Sequence, residues 1–239
     1  MKIDCRQFFL DYKGLNDAVN NSSDTEIELI NCVGQRYIGA AASGRNISIN
    51  GTPGNALGAY LDGARINVYG NAQDAVGDTM NAGEIIIHGS VGDALGYAMR
   101  GGSIYVEGDS GYRTGIHIKE YGEKIPVIVV GGVAGSFLGE YMAGGRIIIL
   151  NMNNSDIPGS FIGTGMHGGK IFIRSEKAPC GLPGQVACRE ACEKDLEEIK
   201  KYIYKFCDLF EIKSDIINNK YYVLTQNEKN PYTKLYAAN

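Results

Sequence analysis

The chain has 239 residues, 44% of them hydrophobic, and a formal net charge of −4. That is enough apolar material for a sizeable core, in one large domain or one domain with an appendage, and no basic patch of the kind a nucleic-acid partner needs. The opening MKIDCRQFFLDYKG lacks the apolar stretch of a signal peptide, and no run approaches the roughly 18 apolar residues of a membrane span, so a cytoplasmic location is expected.

At the N-terminus, Lys2-Ile3-Asp4-Cys5 reads as a short strand. Asp11 to Asn21 reads as a modest helix with Leu15, Ala18 and Val19 on one side, and Glu26-Ile27-Glu28-Leu29-Ile30 as a strand. Residues 1–33 are thus expected to cap the structure that follows, whose end would otherwise expose a strand edge.

Residues 34–178 carry one pattern seven times. Aligned on Gly39, Gly58, Gly77, Gly96, Gly115, Gly139 and Gly163, the first four intervals are 19 residues and the last two 24. Ile47, Ile66, Ile85, Ile104, Ile147 and Ile171 follow six of these glycines at a constant distance, with Ile or Val two residues further on. Before each such strand lies a second apolar set, such as Leu57 with Leu61 and Leu95 with Met99. A fixed period near 20 is the signature of a repeat structure whose units cannot bury their apolar faces alone. The alternation is that of half-buried strands, and the glycines are read as structural corners that supply positive φ. The expectation is an all-β fold, a single-stranded parallel β-helix of about seven coils. Helical hairpin repeats are disfavoured, because each interior glycine would cost about 1 kcal/mol.

Two excursions interrupt the pattern: His117 to Lys124 in the fifth copy, and Asn151 to Asp156 after the sixth. Either is a contact loop or a tolerated insertion. The outward strand positions read Ser48, Asn67, Ile86, Tyr105, Ile128, Ile148 and Phe172. The last five form an apolar stripe, a candidate interface covered by another subunit or by the chain's own tail.

After Ser175 come Pro179, Gly181, Pro183 and Gly184, a connector. Residues 179–239 then read as a helical appendage with an extended tail. The helix runs from Ala187 to about Phe210, with Leu196, Ile199, Ile203, Phe206 and Leu209 on one face. Tyr221-Tyr222-Val223-Leu224 and Asn230 to Leu235 read as extended.

Catalytic chemistry is hard to find in the sequence. His88, His117 and His167 are separated by one or more repeats, so each reads as a surface or corner residue. Of six cysteines, Cys188 and Cys192 are four apart on the expected helix with Cys180 upstream. No CxxC pair occurs, and small apolar core residues explain them better than a metal site. Gly108-Asp109-Ser110-Gly111 matches a protease nucleophile string, but its glycines belong to the repeat. An esterase would need a base beside Ser110, Ser136 or Ser160, and the sequence supplies none. No catalytic, cofactor-binding or metal residue is assigned.

The repeat Gly-x-x-x-Gly-x-x-Met-x-Gly-Gly-x-Ile-x-Ile-x-Gly, clearest at Gly92 to Gly108 and Gly135 to Asn151, resembles the GXGXG domain at the C-terminal end of glutamate synthase large subunits. The resemblance implies a right-handed β-helix acting as a structural brace in a glutamate synthase complex. Its implied partners are an FMN-containing synthase subunit and a glutamine amidotransferase subunit. FMN and an iron–sulfur cluster would reside in the synthase partner and none in this chain. The C subunit of formylmethanofuran and formyl dehydrogenase complexes shares the repeat and is the alternative. A free homo-oligomeric scaffold would also satisfy the stripe.

Overall fold

The computed structural model describes residues 1–155 and 159–227; Asp156 of the second excursion and the Asn230 to Leu235 stretch lie outside the described residues. Strands form where the period-two alternation is strongest: β1 (Lys2–Asp4), β2 (Glu26–Val33), β3 (Asn46–Thr52), β4 (Asp62–Tyr69), β5 (Ala82–Ile87), β6 (Ser103–Val106), β7 (Val127–Val130), β8 (Ala143–Ile149), β9 (Gly168–Arg174), β10 (Val186–Glu190) and β11 (Tyr221–Gln226). Helices are α1 (Tyr12–Asn21) and α2 (Glu193–Phe210). The strands make one 11-stranded sheet in the order β1 to β9, then β11, then β10. All neighbours from β1 to β9 are parallel, whereas β11 joins β9 and β10 antiparallel.

Register follows the repeat. One inward row runs Ile47, Ile66, Ile85, Ile104, Ile128, Ile147 and Ile171, each opposite the next. Two residues on, Ile49, Val68, Ile87, Val106, Val130, Ile149 and Ile173 form a second row. The return segments stack as well, through parallel bridges Ala72 to Val91, Val91 to Ser110 and Ser110 to Ala134. Leu57, Leu61, Leu95 and Met99 on those segments are fully buried against the strand rows. Ile3, Cys5, Leu15 and Val19 of the N-terminal segment share this core.

Three expectations need correcting. The chain is not an all-β, single-stranded right-handed β-helix of about seven coils with an appended helix. It is α/β-like: a mostly parallel 11-stranded sheet with two α-helices, α2 being 18 residues long. From β5 to β9 the strands bury apolar residues on both faces, and a parallel sheet of that kind requires a helical layer. Second, Ile128 is not on the outward stripe. It pairs with Ile104 and Ile147 in the inner row, and Val129 takes the outward place between Tyr105 and Ile148. Third, α2 begins at Glu193, because residues 186–190 pair with β11 as a strand.

The repeat glycines sit in the turns with φ between 65° and 70°. At Gly96 the bare Cα also faces inward: a Cβ there would lie 2.5 Å from Ile128 Cδ1. Only glycine meets both demands. The neighbouring left-handed positions are held by ordinary residues, among them Ala56, Ala75, Ala94, Arg113, Phe137 and Phe161 two residues before the repeat glycine. Ladder hydrogen bonds hold them there, such as Ala94 N–H to the Tyr112 carbonyl at 2.8 Å.

Candidate functional site

The outward stripe is covered by the chain itself. Ile86, Tyr105, Val129, Ile148 and Phe172 form one buried cluster with Ile199, Ile203, Phe206 and Phe210 of α2. Tyr105 is 1% exposed, and burial, with the nearby Glu84 charge, pushes its phenol well above the usual range. Lys205 of α2 lies over the Tyr105 ring and ion-pairs with Glu84. The polar outward residue Asn67 pairs beside Ile86 at the edge of this cluster, and Ser48 lies one strand further out.

An ionic network pins the first half of α2. Arg146 on β8 bonds Glu120 at 2.7 Å and also pairs with Glu198 on α2. Lys170 on β9 reaches Glu198 at 2.6 Å and Asp195 at 3.5 Å. Arg189 on β10 holds Asp195 at 2.5 Å, while the Cys192 N–H donates to the same carboxylate. Arg189, with help from Cys192, keeps the Asp195 carboxyl well below its usual range against the cost of burial. Burial works against the charge on Glu198 too, but Lys170 and Arg146 prevail and lower its pKa. Asp195 thus caps the helix N-terminus and ties it to the sheet.

The return turns present a different surface. Tyr97, Tyr112, Tyr141 and Phe161 are 40–56% exposed. His117 stacks on Tyr141 at 5.2 Å and meets Tyr97 edge-on at 5.8 Å. Phe137 stacks on Phe161 at 5.1 Å, and the Arg113 guanidinium lies over Phe137 at 5.4 Å. In the third and fourth repeats the same turns carry acid. Asp74 accepts from the Asp93 N–H at 2.9 Å, and Asp93 from the Tyr112 N–H at 2.8 Å. The sequence signal for this surface is an aromatic recurring one to three residues from the repeat glycine in several copies.

The other sequence candidates do not converge. His88 stacks on Tyr69 at 4.9 Å and meets Phe210 edge-on, while the His167 ring lies 3.2 Å from the Gly165 carbonyl. The Ser110 hydroxyl is buried and accepts from Thr114 at 2.8 Å. Ser136 accepts from the Ser160 N–H at 3.0 Å. Cys188 lies on β10, not on a helix with Cys192. Among the described residues, no three His, Cys, Asp or Glu side chains come together as metal ligands. No helix among them is long and apolar enough to cross a membrane.

Comparison with known proteins places this geometry. The GXGXG motif family model matches residues 15–229. An uncharacterized protein of Methanocaldococcus jannaschii is 43% identical over 138 residues, 53% of this chain and 52% of that protein. The chain thus spans about half the length of this curated relative. Among solved structures, a chain of the formyltransferase/hydrolase complex (FhcABCD) from Methylorubrum extorquens, crystallised with methylofuran, superposes with a TM-score of 0.65. Identity is 19%, over 83% of this chain and 72% of that chain, so the likeness is one of fold.

Proposed function

The chain belongs to the GXGXG motif family, and on that premise we propose that it is a structural, assembly subunit of a multi-subunit enzyme complex. It would hold neighbouring subunits in place while they carry the chemistry. The observation behind this reading is the fold likeness, over 83% of the chain, to a chain within a formyltransferase/hydrolase complex. The ionisable groups fit the role: Arg146, Lys170, Glu198 and Asp195 are spent on fixing α2. The fold likeness favours an assembly of the formyl-transferring or formyl dehydrogenase type. The glutamate synthase reading rests on the shared GXGXG repeat alone, and with it the FMN and iron–sulfur cluster of its synthase partner.

The test is purification of the protein with its native partners, each identified by mass, and the visible spectrum of the eluate. Formyltransferase- or molybdopterin-type subunits would support the first assembly. A flavin-containing synthase with a glutamine amidotransferase would move it to glutamate synthase. A homogeneous, colourless eluate with no other polypeptide would overturn the subunit reading.

A further inference from the structure

We propose that the aromatic turn face of repeats four to seven, with the aspartate row beside it, is the docking surface for a partner subunit that presents arginine and lysine side chains. The proposal rests on the assembly reading above and specifies which face of the molecule serves it. The opposite, strand face is already occupied by α2. On the turn face Tyr97, Tyr112, Tyr141 and Phe161 remain about half exposed, and all but Tyr112 already lie in ring–ring contacts. The backbones of Tyr97, Tyr112 and Tyr141 are fixed by the interrepeat ladder, so binding would order little there that is not already ordered. Exposed, pre-ordered aromatic rings of this kind mark contact surfaces.

Charge decides the occupant. Asp74 and Asp78 lie on the turn of the third repeat, and Asp93 on that of the fourth with Tyr97. Their acceptors are engaged by N–H and hydroxyl donors, and no ion pair joins any of the three to a described residue. A second copy would bring together two chains that each carry a net charge of −4. A basic partner removes that repulsion and finds ring faces to stack on. The chain shows the geometry itself, with Arg113 over the Phe137 ring.

The experiment uses the complex as purified with its partners. A photo-crosslinking phenylalanine analogue is placed at Tyr112, at Phe161 or, as a control on the outer side of α2, at Lys201. Crosslinked peptides are then sequenced by mass spectrometry. The expected result is crosslinks from Tyr112 and Phe161 to an arginine- or lysine-bearing segment of a different subunit. The triple variant Asp74→Asn, Asp78→Asn, Asp93→Asn keeps an oxygen acceptor at each position and should lower the yield roughly tenfold, the low end of electrostatic steering. Its melting temperature, measured alongside, shows that the fold is kept. Crosslinks to a second copy, or an intact complex that crosslinks only from Lys201, would overturn the docking face and leave the subunit reading standing. Absence of any complex would overturn both.

Discussion

Two faces of the same repeat have met opposite fates. Ile104 and Tyr105 are adjacent in β6, yet Ile104 belongs to the core between strand rows and return turns, and Tyr105 to the separate cluster beneath α2. The turn face, a few residues away along each repeat, keeps its aromatic rings in the open. The strand face is closed from within by a helix pinned through Arg146 and Lys170. Among the described residues, no such element covers the turn face, whose rings stay exposed. A repeat makes the same surface many times, so the molecule must dispose of each one, by covering it or by offering it.

The largest expected effect separates the two buried clusters. Ile104→Asp places an unpaired charge inside the main core and should abolish the cooperative thermal transition, a loss above about 4 kcal/mol. Tyr105→Glu, one residue later, should release α2 while the strands persist. Hydrogen exchange should then show lost protection over Glu193–Phe210 and retained protection in β2 to β5. Equal loss in both regions would mean that the sheet does not stand without its helix.

Next in size is a pair of glycines. Gly96→Ala meets Ile128 Cδ1 at 2.5 Å and sits at φ +66°. Strain and overlap together should cost about 2–4 kcal/mol. Gly44→Ala has φ +59° but nothing within 4 Å. It should cost only the backbone strain, less the gain from a narrower unfolded ensemble, about 0.5 kcal/mol net. Chemical denaturation of the two variants would separate packing from conformation.

Acid should act on the helix clamp before the main core. Asp195 and Glu198 have lowered pKa values in the folded state. Their contribution is fully present above their unfolded values near pH 4, and is lost as pH falls through the lower folded values. Amide protection of α2 should therefore decline below about pH 4 ahead of β2 to β5. Glu198→Gln should remove part of that pH dependence, and an unchanged profile would exclude the network as its source.

Much of this was legible in the sequence, for local reasons. The rows through Ile47, Ile66, Ile85 and Ile104 follow from a constant 19-residue spacing. The count failed at Ile128 because the excursion after His117 shifts the strand, and four consecutive apolar residues there hide the alternation. The start of α2 was missed because β10 is fixed by nonlocal pairing, Cys188 with Leu224. The helical layer was read as an appendage, although the double-sided apolar strands already called for it. The aromatic turn face went unread, since isolated exposed rings look ordinary until stacking places them together.

The smallest effect tests the turn face itself. Ala94 holds φ +58° without glycine's freedom, a conformation that costs an ordinary residue about 1–2 kcal/mol. Ala94→Gly relieves this but widens the unfolded ensemble by roughly 0.5–1 kcal/mol. The net should be a gain of about 0.5 kcal/mol, read as a rise in the denaturation midpoint at unchanged slope. Ala64→Gly, in β4 and 1% exposed, has no such strain to relieve and should lose about 1 kcal/mol. The same substitution would then have opposite signs in a turn and in a core strand. If Ala94→Gly destabilises instead, the left-handed turns are held at little cost, and the ladder hydrogen bond to Tyr112 already offsets the strain.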